Sequence, residues 1–409
     1  MDTTLPRSGG RAAGPMPAAA RRILRLLQRI PHGSLVLQTP DGAEHVLGQS
    51  SGPGPHAHVQ VHDWSVFQQL LRSGDIGLAE SYLAGHWSTP QLTEVLRVGL
   101  ANRRELDALI HGHWFGRLAY RLRHLLRRNT RRNSRRNIHA HYDLGNAFYE
   151  LFLDPSMNYS SAWFEGRLDG DLVQAQQAKM RRALRMAGVQ AGDRVLEIGC
   201  GWGAVAELAA QEMGAHLTGV TLSTEQLAFA RARMKWAGLA EQSDLRLQDY
   251  RDIQDGPYDA IVSIEMVEAV GREYWPTYFG QLARLLKPGG RACVQSIVIR
   301  DDLFERYIDS TDFIQQYVFP GGCLPSPQVF CQQAEAAGLQ VVDRFAFGAD
   351  YAETLRRWRD GFVAQIEQVR QLGFDERFVR LWSFYLAYCE AGFDDGSIDV
   401  VQFTLTRPA

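Results

Sequence analysis

Residues 195–203 read VLEIGCGWG, an apolar strand pattern that runs into a turn with three glycines. Glycine lets the backbone turn tightly and come close to a ligand. The spacing Gly199-x-Gly201-x-Gly203 differs from the GxGxxG pattern that holds the pyrophosphate of a dinucleotide. Glu197 precedes the first glycine by two residues, and a carboxylate there suits a cationic group such as an ammonium better than a phosphate. The stretch therefore predicts a ligand crevice at the carboxyl end of a strand.

From residue 190 onward, strand patterns alternate with helix patterns, as in a parallel sheet covered by helices. The strand candidates are RVLEIGC, HLTGVTL, LRLQD, YDAIVSI, RACVQSIVI, LQVVDRFAFG and VVQFTLTRP. The helix candidates are GAVAELAAQEM, STEQLAFARARMKW and YWPTYFGQLARLL, and KPGG stops the last of them. A helical insertion over 352–393 separates the final two strands. This order predicts an α/β fold with a seven-stranded Rossmann-like sheet of the methyltransferase type and helices on both faces.

Charge divides the chain into a basic front part and an acidic remainder, although the net charge is only −2. Residues 1–136 hold 19 Arg against 9 Asp and Glu, and the rest holds 25 Lys and Arg against 37 acids. Such an asymmetry is typical of a front part that binds a polyanion. We divide the chain into a disordered leader (1–18), a mixed, mainly helical N-terminal domain (19–110), a basic linker (111–140) and a C-terminal domain (141–409).

The basic linker carries the pattern of an amphipathic helix. Apolar residues fall at helical spacing over 114–126, and nine Arg lie between 117 and 136 with no acid among them. Such a helix favours an anionic lipid surface, where each basic side chain contributes roughly 1 kcal/mol. A solvated connection between domains is the alternative interpretation. RNA is a weaker one, because no RNA-binding signature accompanies the arginines, and we expect no nucleic-acid partner.

The turn and several further blocks resemble one known family. EIGCGWG resembles motif I of S-adenosylmethionine-dependent methyltransferases, and in this narrow form it is similar to the cyclopropane fatty-acid synthase and mycolic-acid cyclopropane synthase family. Other blocks that match in order and spacing are SGDIGLAESYLAGHW (73–87), HYDLGNAFYELFLDPSMNYSSAWF (141–164), QQAKM (176–180), GVTLSTEQ (219–226), QDYRD (248–252), YVFPGGCLPS (317–326) and FGADY (347–351). The resemblance implies S-adenosylmethionine as the cofactor and a lipid-binding N-terminal domain.

The resemblance also assigns cofactor-binding positions. It implies Gly199 and Gly201 against the methionine portion with Tyr159 and Ser160 over it, Thr221, Leu222 and Gln226 at the ribose, and Asp249 and Tyr250 at the adenine. Glu197 joins this set as the partner of the cationic group. Thr221 also has a structural interpretation, because it could help to begin the helix that follows. Ser223 forms a capping box with Gln226, and we interpret it as a helix cap.

For the chemistry, the resemblance implies a bound bicarbonate ion as the base that removes a proton after methyl transfer. The carboxylate that holds it corresponds to Glu268, the backbone contacts to Ser161 and Ile297, and the phenol to Tyr351. A glutamate that holds bicarbonate shares a hydrogen with it, since two bare anions repel. Glu265 lies three residues earlier, and we interpret it as a strand-end residue in a polar network.

Three positions depart from the family pattern. Many members have Cys where Ser161 stands, His where Gln295 stands and His where Ala269 stands. Backbone contacts survive the first change. Gln295 can donate a hydrogen bond to bicarbonate but cannot titrate, and Ala269 removes a neighbour that orients Glu268. These departures bear on the product more than on the cofactor.

We predict a cyclopropane fatty-acid synthase that transfers a methylene group from S-adenosylmethionine to the cis double bond of an unsaturated acyl chain in a membrane phospholipid. One alternative keeps the cofactor but makes methyl-branched lipids or methylates an amine. Another is a lipid- or RNA-binding protein with a decayed catalytic domain. Five scattered cysteines without CxxC spacing indicate a cytoplasmic protein. The lipid substrate implies peripheral association with the inner membrane surface, and the family resemblance implies a homodimer.

Overall fold

The computed structural model describes residues 15–50, 52–110 and 144–409. The residues up to 110 belong to one compact unit, and residues 144–379 with 385–409 belong to a second. The amphipathic helix predicted over 114–136 lies outside the described residues and stays a prediction. Within those described ranges, no helix is both long and apolar enough to cross a membrane.

The first unit combines four helices with a small mixed sheet. The helices are α1 (Ala18–Leu27), α2 (Ser65–Leu83), α3 (Leu92–Ala101) and α4 (Arg103–Ile110). The strands are β1 (Ser34–Gln38), β2 (Glu44–Gly48), β3 (His56–Val61) and β4 (Trp87–Ser88). Their order is β2-β1-β3-β4, with β1 antiparallel to β2 and parallel to β3. The alternating burial of β3 follows its alternating sequence HAHVQV.

The second unit contains the seven-stranded sheet, which confirms the predicted fold. Its strands are β5 (Arg194–Ile198), β6 (His216–Thr221), β7 (Ser243–Leu247), β8 (Tyr258–Ile264), β9 (Leu286–Ile299), β10 (Gln340–Ala346) and β11 (Ile398–Thr406). They lie in the order β10-β11-β9-β8-β5-β6-β7, and β11 runs antiparallel to both of its neighbours. The strands from β5 to β9 pair in parallel.

Helices cover both faces of this sheet. They are α5 (Asn146–Tyr149), α6 (Leu172–Met186), α7 (Ala204–Met213), α8 (Thr224–Trp236), α9 (Val267–Val270), α10 (Trp275–Leu285), α11 (Asp301–Ile308), α12 (Phe313–Tyr317), α13 (Pro327–Ala336), α14 (Gly348–Ala364), α15 (Ile366–Gln371) and α16 (Glu376–Asp394). Strand β8 shows why the sheet needs two covers. Ile261 packs in the hydrophobic cluster that contains Phe279 of α10, whereas Val262 packs in the cluster that contains Met180 of α6. A strand that is apolar on both faces is typical of a doubly covered parallel sheet.

Two local features differ from the predicted boundaries. Helix α10 ends at Leu285, and KPGG lies inside β9 instead of forming the stop after a helix. There β9 advances five residues while β8 advances two, so KPGG forms a bulge in the strand. The insertion predicted at 352–393 corresponds to α14, α15 and α16, which lie between β10 and β11.

Candidate active site

The glycine turn after β5 has the conformation that its sequence predicts. Gly199 has a φ of +88°, and a side chain there would bring its Cβ within 3.0 Å of Met266 Cγ. Gly203 has a φ of +84°, and its Cβ would lie 2.9 Å from the Cβ of Ala230 on α8. Glycine is therefore required both for the turn and for the close approach of α8.

A cavity opens at the carboxyl ends of the parallel strands, as expected for this type of sheet. All ten predicted cofactor-binding residues line it: Tyr159, Ser160, Glu197, Gly199, Gly201, Thr221, Leu222, Gln226, Asp249 and Tyr250. Ile264, Glu265, Met266 and Ala269 line it as well. The structure thus brings the predicted set together in one place, while the cofactor contact of each residue stays a prediction.

Glu197 fits the cationic end of the predicted cofactor. Its side chain is buried, and burial raises its pKa to about 8, although the nearby Lys179 works in the opposite direction. Within the described part of the chain, its Oε2 atom has no hydrogen-bond partner. A buried acceptor without a donor is unfavourable, and an ammonium group in the cavity would satisfy it. The donor chemistry of this site therefore fits the amino-acid portion of S-adenosylmethionine.

Thr221 and Gln226 face each other at the end of β6. The hydroxyl of Thr221 donates to Oε1 of Gln226 at 3.0 Å, so the two side chains fix each other beside the cavity. Ser223 is the predicted helix cap, because its Oγ accepts the backbone N–H of Gln226 at 3.3 Å at the start of α8. The reciprocal half of the predicted capping box is absent, since the Ser223 N–H donates to Oγ1 of Thr221 instead. Asp249, at the predicted adenine position, forms an ion pair with Arg251 at 2.6 Å. These contacts hold the cavity wall before any ligand binds.

Lys179 is a site residue that the sequence analysis did not single out. Its side chain is fully buried, and Nζ donates to Oγ of Ser160 at 2.5 Å. Burial lowers its pKa to about 8, while the charges of Glu265, Asp154 and Glu197 raise it. The sequence feature that could have identified Lys179 is its position in QQAKM, one of the blocks that resemble the family. A lone lysine in a helix is usually solvated, so only the fold reveals its place among carboxylates.

Glu265 receives the hydrogen bonds that the resemblance assigned to a different acceptor. Ser161 N–H donates to Oε1 of Glu265 at 2.9 Å, and Nε2 of Gln295 donates to the same oxygen at 2.7 Å. Tyr351 donates its phenolic proton to Oε2 at 2.6 Å. The resemblance implied that Ser161 and Tyr351 contact a bicarbonate ion held by Glu268, whereas here both contact the carboxylate of Glu265. Glu265 does lie in a polar network at the end of a strand, which confirms that interpretation.

The backbone conformation at Glu265 explains why its side chain meets these donors. β8 ends at Ile264, and Glu265 then adopts a φ of +49°, in the left-handed region. Its own N–H still donates to the carbonyl of Gln295 at 2.8 Å, next to β9. Non-glycine residues with positive φ are uncommon, and such strain concentrates at functional sites. The turn directs the Glu265 side chain toward the donors and the cavity.

Glu268 has a different environment. Its Oε1 accepts the backbone N–H of Ile297, so two residues expected to contact bicarbonate contact each other. Among the residues that the structure describes, no donor contacts its Oε2 atom. Burial and the neighbouring charge of Glu265 raise the pKa of Glu268 to about 8. Glu268 therefore keeps its proton to a higher pH than an exposed glutamate does.

The residues present do not fit a bicarbonate ion. The donors expected to hold it at Ser161, Gln295 and Tyr351 already contact the carboxylate of Glu265. A second anion at the same place would meet that carboxylate with unfavourable charge repulsion. The side chain of Glu265 thus occupies the position that the resemblance implied for the ion.

The chain resembles characterised proteins over most of its length. Residues 129–403 match the family described as mycolic acid cyclopropane synthetase. The chain is 42% identical to the tuberculostearic acid methyltransferase UfaA1 of Mycobacterium tuberculosis, over 96% of this chain and 93% of the relative. It is 34% identical to the cyclopropane-fatty-acyl-phospholipid synthase of Escherichia coli K12, over 87% of this chain and 89% of the relative. The crystal structure of the mycolic acid cyclopropane synthase CmaA1 complexed with SAH and CTAB matches with a TM-score of 0.62 and 33% identity, over 66% of this chain and 97% of that one.

Proposed function

This chain belongs to the mycolic acid cyclopropane synthetase family of S-adenosylmethionine-dependent lipid methyltransferases, and we propose that it methylates a double bond in a lipid acyl chain with Glu265 as the base. The observation that carries the proposal is the set of three hydrogen bonds to Glu265. A carboxylate has about four acceptor positions. Among the described residues two donors use Oε1 and one uses Oε2, so Oε2 retains a position for an incoming proton.

The electrostatics of Glu265 suit a base. Its location inside the protein raises the pKa of its carboxyl, and Lys179, Tyr351, Ser161 and Gln295 lower it in that order of influence. A carboxyl with a raised pKa accepts a proton more readily than an ordinary surface carboxylate. Glu265 also borders the cavity, where a reacting group can reach it. Glu268 complements it, because its own raised pKa favours a protonated form that would not repel an ionised Glu265.

When bound, S-adenosylmethionine supplies an electrophilic methyl group, and the acyl double bond that attacks it becomes positively charged. The residues around Glu265 support such chemistry by excluding water. Tyr159 stacks on Trp358 with ring centroids 5.4 Å apart, and its hydroxyl lies 2.8 Å from that of Tyr385. Tyr351 meets Trp358 edge to face. Aromatic faces near developing positive charge are favourable, and a dry site protects it from hydrolysis.

Two products follow from removal of one proton. If the proton comes from the new methyl group and its C–H electron pair closes onto the charged carbon, a cyclopropane ring forms. If a hydride first moves to that carbon from its methyl-bearing neighbour, proton loss from the methyl group leaves a C=CH2 branch. Reduction of this branch to a methyl group would need a separate reductant.

We place the branched product first. The relative that is 42% identical across 96% of this chain is named a tuberculostearic acid methyltransferase. The cyclopropane ring is the second candidate, because the family description and the Escherichia coli relative name cyclopropane products. With Glu265 as the base in place of a bound bicarbonate ion, the proton is accepted at a different position. This difference supports a different ratio of branched product to cyclopropane ring.

The substrate requires access to a membrane or to dispersed lipid. We propose that the nine arginines between 117 and 136, together with the N-terminal unit, bring the enzyme to an anionic phospholipid surface. The support is the sequence alone, namely basic residues interspersed with apolar ones at helical spacing and without an acid.

The test uses purified full-length protein, S-adenosylmethionine and vesicles of unsaturated phospholipid. The expected result is a gain of one CH2 per modified acyl chain by mass spectrometry, equal to the S-adenosylhomocysteine released. Because ring and branch are isomers, NMR must separate cyclopropane protons from vinylidene protons. Release of S-adenosylhomocysteine only with an amine acceptor would refute the proposal.

A further inference from the structure

We propose that Arg182 acts on the base from a distance, by fixing through Gln402 and Gln295 the direction of the N–H group that Glu265 accepts. Arg182 would then be a positioning residue that touches no substrate. This inference rests on the role proposed above for Glu265. Its evidence is a continuous series of hydrogen bonds from α6, across the antiparallel strand β11 and the central strand β9, to the end of β8.

Each link of the series has good geometry. Arg182 Nη1 donates to Oε1 of Gln402 at 2.7 Å. Gln402 Nε2 donates to Oε1 of Gln295 at 3.0 Å. Gln295 Nε2 donates to Oε1 of Glu265 at 2.7 Å. Gln402 and Gln295 are fully buried and face each other in the register of β11 and β9, so the two amides cannot turn to water instead.

The two ends of the series determine its direction. A guanidinium is a donor without acceptor capacity, and an ionised carboxylate is an acceptor without donor capacity. Each amide between them must therefore accept on the side of Arg182 and donate on the side of Glu265. If both amides flipped, the carbonyl of Gln295 would face the carboxylate of Glu265, and the NH2 of Gln402 would face the guanidinium. Both contacts would be repulsive.

Arg182 is itself held in place. Nη2 forms an ion pair with Oδ2 of Asp343 on β10 at 2.9 Å, and the guanidinium lies over the ring of Phe345 at 4.0 Å. Only 13% of the Arg182 side chain is exposed. Gln402 uses its second amide hydrogen on the carbonyl of Lys179 at 3.2 Å, which also opposes a flip. The guanidinium of Arg182 is thus held at a fixed position and orientation relative to the side-chain amide of Gln402.

The neighbouring residue on α6 supplies a matched control. Arg181 forms a two-point ion pair with Glu212 of α7, through Nε at 2.8 Å and Nη2 at 2.7 Å. It lies on the same helix as Arg182 and has the same chemistry, but its hydrogen bonds go to Glu212 and Gln177. The test variants are Arg182→Met, which keeps an apolar stem on Phe345, Arg182→Lys, which keeps a donor without acceptor capacity, and Arg181→Met.

The first measurement does not need turnover. Infrared difference spectra identify the protonated carboxyl band that disappears in Glu265→Gln, and its titration reports the pKa of Glu265 in each variant. The titratable groups that face Glu265 are Lys179, Tyr351 and Glu268, and all variants retain them. Loss of a fixed donor to the ionised form should raise the midpoint in Arg182→Met by roughly 0.5 to 1 pH unit. In Arg182→Lys the midpoint should lie close to the wild-type value, and in Arg181→Met it should equal the wild-type value.

Turnover gives the second readout. We expect kcat of Arg182→Met to fall roughly 5- to 10-fold, with KM for cofactor and lipid changed less than about twofold. Equal midpoints and equal kcat in Arg182→Met and Arg181→Met would overturn the inference. Equal impairment in Arg182→Lys and Arg182→Met would also overturn it, because packing on Phe345 would then explain the effect. If the wild type methylates no lipid while the midpoint shift is present, the proposed function fails and the positioning role stands.

Discussion

Tyr351 donates its phenolic hydrogen to Oε2 of Glu265 at 2.6 Å, and this bond ties helix α14 to the end of strand β8. Burial, followed by the charge of Glu265, keeps the pKa of Tyr351 well above its ordinary value, so the phenol remains a donor throughout the neutral range. A hydrogen bond to the ionised form of a carboxyl favours that form. The late helical insertion therefore helps to keep the base ionised.

Glu265→Gln should abolish most turnover, because an amide has the shape of the carboxyl but cannot accept the proton. We expect kcat to fall roughly 100- to 10,000-fold while the cofactor affinity stays within a few fold. The measurement is the rate of product formation together with calorimetric titration of S-adenosylhomocysteine. Glu268→Gln is the matched control three residues away, and it should retain far more activity. The reverse order of the two variants would restore Glu268 as the catalytic carboxylate.

Bicarbonate should have no effect on the wild-type rate. The donors that would hold the ion contact Glu265 instead, so an assay in buffer freed of carbon dioxide should give the same kcat as one with added bicarbonate, within about twofold. The check is a single preparation assayed under both conditions, with ionic strength held constant. A rate that rises in proportion to bicarbonate would contradict the assignment.

Cofactor binding should release a proton from Glu197. Its pKa of about 8 means that the carboxyl is mostly protonated at pH 7, and an ammonium group beside it would favour the ionised form. The binding enthalpy measured at pH 7 should therefore vary with the ionisation enthalpy of the buffer. The slope of that plot gives the number of protons released per cofactor bound, and it should approach one. Glu197→Gln should remove that slope and weaken binding by roughly tenfold. A slope unchanged by this substitution would assign the proton to another group.

Glu268 should make the folded protein less stable as pH rises. Its pKa is about 8 in the folded state against 4.5 for the free side chain, so the folded state binds more protons between these values. The free energy of unfolding should then decrease from pH 5 to pH 8, and it should decrease less in Glu268→Gln. Denaturant titrations of both proteins at pH 5, 6.5 and 8 measure the difference. Parallel curves would show that Glu268 ionises normally.

Neutralising Arg127, Arg128, Arg131 and Arg132 should weaken binding to anionic vesicles, most clearly at low salt, because the attraction is screened within roughly 10 Å at 0.1 M ionic strength. Cosedimentation with vesicles of phosphatidylglycerol, and with neutral vesicles as the control, measures the loss. Unchanged binding would favour the interpretation of this segment as a solvated connection.

Much of the catalytic fold could be predicted because its signals are local. The run YDAIVSI is apolar on both faces and flanked by polar residues, and it became β8 at the predicted residues. The KPGG stretch was harder, because a bulge in a strand and a stop after a helix use the same residues. Its assignment depends on pairing with β8, which is not local in sequence.

The lining of the cavity could be predicted where it depends on residue type at a fixed distance from a glycine turn, although the cofactor contacts stay a prediction. The contacts of Glu265 could not be predicted, because they depend on one dihedral angle. Glu265 and Glu268 are both acids beyond the same strand, and only the left-handed turn at Glu265 shows which one meets the three donors. The sequence analysis did not identify Lys179, Arg182 and Gln402, because their roles depend on contacts with residues that are distant in sequence.

The positive φ of Glu265 also has a cost in stability that its hydrogen-bond partners must offset. A left-handed conformation disfavours a residue with a side chain by roughly 1 to 2 kcal/mol, and the protein carries that strain together with a desolvated carboxyl. Glycine at this position would relieve both, but it would leave the buried donors of Ser161, Gln295 and Tyr351 without an acceptor, which costs roughly 1 to 3 kcal/mol for each donor. We therefore expect Glu265→Gly to unfold at a lower temperature than the wild type, and a thermal melt measures the difference. The donors that position the base thus also offset the cost of its left-handed turn.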